Sequence, residues 1–111
     1  MTMRKLSLDA VAREQLKIAN EDASRRSAKT VFGGHEHVLR QSVIALAEGA
    51  VLADHLSPGE ATLQVLRGRI RLNAGKDFWD ARTGDLLDIP DGRQSVEALE
   101  PSVILLTVAK P

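Results

Sequence analysis

From Val51 onward the chain is cut by turn-forming residues at short, regular intervals, and no other feature restricts its fold as much. Segments rich in Val, Leu and Ile run over Val51–His55, Ala61–Leu66, Arg69–Ala74, Asp77–Ala81, Asp85–Ile89, Gln94–Leu99 and Val103–Val108. Between them stand Ser57-Pro58-Gly59, Gly68, Ala74-Gly75-Lys76, Arg82-Thr83-Gly84, Pro90-Asp91-Gly92 and Glu100-Pro101. Glycine supplies positive φ, proline presets φ, and aspartate hydrogen-bonds its own backbone, so these separators are corners. An earlier segment, His35–Leu46, follows Gly33-Gly34 and has apolar residues at period two. Segments this short cannot be helices of ordinary length. Seven or eight short strands at such spacing predict an all-β sandwich or barrel.

One helix precedes them. Ser7 can cap a helix over 7–24, and Leu6 can pack back on Val11 as a hydrophobic staple. Leu8, Val11, Ala12, Leu16 and Ala19 form a thin apolar stripe, which predicts docking on the barrel or on a second subunit. Arg25 to Lys29 is polar and reads as a connector. The expected organisation is a helix with its connector over 1–30 and a barrel domain over 31–111.

Composition closes off several classes of function. At 111 residues the chain supports one modest core. Only Phe32, Phe78 and Trp79 are aromatic, so that core must be aliphatic. With no cysteine, disulfides, thiolate catalysis and zinc–thiolate sites are excluded. The formal net charge is zero, which argues against a general nucleic-acid binder, although residues 1–40 lean basic. No apolar run reaches the ~18 residues a membrane span needs, and no leader pattern is seen. The expectation is a cytoplasmic protein without membrane or nucleic-acid partners.

Two glycine-bounded patterns carry a resemblance. Gly49, His55 and Gly68 fit the spacing of one, and Gly84, Pro90 and Gly92 fit the other. Together they resemble the two motifs of the cupin family of small β-barrels. The resemblance implies a double-stranded β-helix, or jelly roll, usually a homodimer, with a pocket inside the barrel. It also implies that metal-bearing members use three histidines and a glutamate. Carried over position by position, this chain keeps only His55. Ser57 stands at the second histidine position, Ala61 at the glutamate, and Ser95 or Gln94 at the last histidine. One imidazole does not hold a transition metal, which needs about three or four protein ligands.

The remaining histidines leave a second reading open. Residues two apart on a strand share a face, so a strand through His35 and His37 would set both imidazoles side by side. They could then join His55, with Gln94 or Glu60 as oxygen donor. Alternatively, that segment is an edge or dimer strand with solvated histidines. His55 itself is expected as a cavity histidine held by Ser57 or Gln94. Gln64 is either a pocket polar group or a cross-strand hydrogen-bonder, and Arg67, Arg69 and Arg71 form a solvated row. The primary expectation is a barrel that binds a small molecule without redox chemistry or cofactor. Its pocket would comprise His55, Ser57, Ala61, Leu63, Val65 and Gln94, with Val51 also facing inward. The alternative is a metal-dependent isomerase or dioxygenase using His35, His37 and His55 to hold a divalent transition metal.

Overall fold

The computed structural model describes residues 4–56 and 60–109, and only the backbone of residues 53–56. One helix, α1 (Leu8–Glu21), precedes nine strands. They are β1 (Arg26–Phe32), β2 (Leu39–Leu46), β3 (Val51–Leu56), β4 (Ala61–Arg67), β5 (Arg69–Ala74), β6 (Asp77–Arg82), β7 (Leu86–Asp88), β8 (Arg93–Ala98) and β9 (Ser102–Ala109). Two antiparallel sheets result. The first has the order β1-β2-β9-β4-β7, and the second β3-β8-β5-β6.

Helix α1 starts where the sequence predicts, with the Ala10 amide donating to the Ser7 hydroxyl at 3.2 Å. It stops at Asp22, whose amide donates to the Ile18 carbonyl at 2.8 Å. Its buried stripe of Val11, Ala12, Gln15 and Ala19 lies on the outer face of the first sheet, against Val31, Val43, Ala45, Val103 and Leu105. The other face of that sheet presents Ile44, Leu46, Leu63, Val65 and Ile104 to Ile70, Leu72, Ala81, Val96 and Ala98 of the second sheet. The molecule therefore has three layers, with the first sheet in the middle. This explains why Val43–Leu46 and Val103–Leu105 are buried without a break. Strands covered on both faces are apolar at every position rather than at alternate ones.

Two expectations need correction here. Arg25 to Lys29 is not a connector: β1 begins at Arg26 and pairs with β2 from Arg26↔Leu46 to Phe32↔Gln41. This strand was hidden because it is an edge strand with one covered face. There Val31 is buried and the Ser27 hydroxyl donates to the Gln15 side-chain oxygen, so few apolar residues are needed. Nor do Arg67, Arg69 and Arg71 share a face. Gly68 is the corner at which the chain leaves one sheet for the other, so Arg67 reaches Asp9 of α1 at 3.1 Å. Arg71 instead meets Asp80 on β6.

The Arg71–Asp80 pair is bidentate, at 2.7 and 3.1 Å, and the Arg71 guanidinium also lies over the Phe78 ring at 4.4 Å. The hydrogen bond from Arg71 holds the Asp80 carboxyl below its ordinary 3.8. A depressed native pKa means that the ionised pair favours the fold fully above the ordinary aspartate range. That contribution disappears as pH falls through the native value. Thermal melts on the acid side should therefore show Asp80→Asn losing less stability on acidification than the parent. Parallel curves would show that the pair contributes nothing. Among the described residues, no helix is long and apolar enough to cross a membrane.

Candidate ligand pocket inside the barrel

Register divides the barrel interior into two halves. One end is marked by Leu46↔Ser102 and Ile70↔Ala98, the other by Leu39↔Ala109, Ala61↔Val108 and Leu56↔Arg93. Toward the first end the interior is filled, since Leu46, Leu63, Val65, Ile70, Leu72 and Ile104 are all fully buried. Toward the second end the inward rows continue with different residues. Ser42 follows Ile44, Leu106 and Val108 follow Ile104, Ala61 follows Leu63, and Gln94 follows Val96, by the alternation of a strand. Ser42, Ala61, Leu106, Val108 and the neighbouring Ile89 are only half-buried. The second end is therefore less tightly closed than the first.

Gln94 is the chemically distinctive residue there. It is 7% exposed, and its Oε1 is buried with no hydrogen-bond partner among the described residues. Leaving a buried acceptor unpaired costs about 1–3 kcal/mol. The backbone register places Gln94 opposite His55. The His55 side chain and Ser57 lie outside the described residues, so their expected pocket roles rest on the sequence. Leu63 and Val65 face the interior but are closed into the packed core, and Ala61 lies at its half-open margin.

Other expectations change. Val51 is exposed and pairs with Glu97 on the outer face, so it does not line the interior. Gln64 is exposed because it alternates with inward Leu63 and Val65. His35 and His37 are not on a strand: β2 begins only at Leu39, and both histidines are exposed in the β1–β2 turn. The cause is Gly33, at φ +98°, where an added Cβ would lie 2.4 Å from the Leu39 carbonyl oxygen. The strand cannot run through that bend. The His37 amide donates to the Gly34 carbonyl at 3.2 Å, and its ring meets Phe32 edge-on at 5.1 Å. Their alternation on a shared strand face is thus lost.

Trp79 shares the inward row of β6 with buried Ala81, opposite Leu72, yet remains 45% exposed. Together with Ser42, Leu106, Val108 and Ile89, it extends the pocket margin beyond the residues named from sequence. Parity counted outward from Ile44 and Ile104 would have found three of the five.

No protein-family model matches the sequence, and no curated protein matches it. Solved structures do match. A cupin superfamily protein from Desulfitobacterium hafniense aligns with a TM-score of 0.76 at 12% identity, over 100% of this chain and 94% of that one. The cupin domain of an XRE-family transcriptional regulator from Enterobacter cloacae gives 0.66 at 14%, over 78% and 97%. The chain has a cupin fold.

Salicylate 1,2-dioxygenase from Pseudoaminobacter salicylatoxidans carries the same architecture, with a TM-score of 0.71 at 20% identity, over 89% of this chain and 32% of that one. Cupin neighbours thus include an enzyme and part of a regulator, and the fold alone does not choose between them. A metal is the group this fold most often implies. The described residues do not fit one: no three His, Cys, Asp or Glu residues among them gather to hold an ion. Ala61, where the cupin pattern has glutamate, has no ligating atom in its side chain.

Proposed function

We propose that the half-open end of the barrel binds a small organic molecule without redox chemistry, and that Gln94 recognises a donor group on it. The buried Oε1 of Gln94, without a hydrogen-bond partner among the described residues, carries this reading. An acceptor held away from water is completed by an N–H or O–H that a ligand brings. Half-buried Leu106, Val108 and Ile89 offer apolar surface around it, and Ser42 a hydroxyl. We assign His55 as a second polar contact, on its register position opposite Gln94. The ligand class that fits is small and largely apolar, with one amide, hydroxyl or protonated acid group.

Trp79 makes this testable, because it is the only tryptophan and borders the inward face. Small aliphatic and aromatic acids, amides and alcohols should be titrated while its emission is recorded. Binders are expected to shift the emission and to lose affinity in Gln94→Leu. The same variant, free of ligand, should be more stable than the parent by about 1 kcal/mol, since an unpaired buried acceptor is removed. A Gln94→Leu protein that is less stable than the parent would reassign Gln94 to a structural role and end the proposal.

A further inference from the structure

The first sheet ends in an edge that no other strand closes among the described residues. Strand β1 pairs with β2 on one side only. The Ala47 amide donates to the Arg25 carbonyl at 3.0 Å, which turns the polar groups of Arg25, Ser27 and Lys29 toward β2. Those of Arg26, Ala28 and Thr30 therefore point away from the sheet. The Ser24 hydroxyl lies within donating distance of the Arg26 carbonyl, 3.1 Å away, and of Asp22 Oδ2, in keeping with that direction. The Arg4 guanidinium donates to the Val31 carbonyl at 2.9 Å near the far end. Between these two caps, the amides and carbonyls of Ala28 and Thr30 face outward.

Two further observations bear on what could cover this edge. At its Phe32 end lies a groove of about 420 Å³, lined by Arg4, Leu6, Leu8, Val31 and Phe32 among others. Leu6 and Phe32 are exposed there. The strand is also cationic: Arg25, Arg26 and Lys29 are exposed, and no acidic residue occurs between Ala23 and Phe32. A second copy pairing edge to edge would set two strands of the same positive charge side by side, and like charges on neighbouring strands repel. An acidic strand would instead be attracted.

We propose that β1 accepts an extended acidic segment of another protein as an added strand, which places one apolar side chain in the groove beside Arg4. Main-chain bonds to Ala28 and Thr30 would supply register, Arg26 and Lys29 the charge selection, and the groove a side-chain preference. The homodimer implied by the family resemblance would then use another face.

The probe is a labelled peptide of seven residues, the length of β1, with valine at most positions and leucine near one end. Two glutamates stand three positions apart, so that one can meet Arg26 and the other Lys29 on opposite faces. A counterpart with lysine in place of glutamate is the control. Fluorescence anisotropy should show binding of the acidic peptide alone, weakening as salt rises. Ala28→Pro removes an outward N–H without touching the β1–β2 ladder, and should weaken binding about tenfold, the loss of one or two main-chain bonds. Lys29→Glu, which leaves the fold untouched, should weaken it as well and serves if the proline variant fails to fold. Equal binding of both peptides, or no effect of either variant, overturns the proposal. So does slow hydrogen exchange at Ala28 and Thr30 that grows with protein concentration in the protein alone, since a second copy would then hold the edge.

Discussion

Replacing Gly68 with alanine is expected to destabilise the protein by about 3–5 kcal/mol, combining left-handed backbone strain with overpacking. Gly68 has φ +87°, and a Cβ there would lie 2.3 Å from the Ser102 hydroxyl oxygen and 2.4 Å from the Pro101 carbonyl oxygen. Neither neighbour is free to retreat. The Ser102 hydroxyl accepts from the Arg69 amide at 3.1 Å and lies within donating distance of the Arg69 and Glu100 carbonyls. Gly68 in turn is tied to Thr83 through its amide and carbonyl, both at 3.1 Å. A displaced corner would break bonds that join both sheets. Gly49 is the control, because it has φ +82° but nothing within 4 Å of an added Cβ. Gly49→Ala should cost only the conformational part, about 1–2 kcal/mol. Urea denaturation of both variants measures the difference; equal losses would show that the crowding at Gly68 is relieved at no cost.

Ile104→Ala should cost about 3–5 kcal/mol and Ile104→Val only about 1 kcal/mol. Ile104 is fully buried on β9, at the centre of the first sheet, with Ile44 and Val65 as its register partners on either side. Truncation leaves a cavity that flanking strands cannot fill, because each is held by its own ladder. The same truncation at half-buried Leu106, two residues along, should cost less, since that side chain already borders the more open end. Chemical denaturation with an unchanged denaturant slope would validate the comparison. A loss at Leu106 as large as that at Ile104 would mean that the second end is packed as tightly as the first.

Much of this architecture was legible in the chain. Glycine and proline mark corners by their own backbone preferences, so the strands from Val51 to Val108 could be placed without a partner in view. The cap at Ser7 and the stripe from Leu8 to Ala19 were equally local. The edge strand β1 was not legible, because its contacts with α1 and β2 need little apolarity. His35 and His37 misled for a related reason. Alternation identifies a shared face only where the backbone is extended, and Gly33 bends it just before them. Gln94 was visible as a position within a motif, but its unpaired oxygen belongs to the space between two sheets.

Residue type alone decided where this backbone turns and which segments extend, since those choices depend on φ preferences and side-chain branching within a few residues. Only the folded molecule decided which faces meet. Pairing β9 between β2 and β4 brings together residues far apart in the chain, and with them come the packed half, the open half and the uncovered edge. Such long-range pairing is selected by the total burial of the whole structure, a quantity that no short window contains.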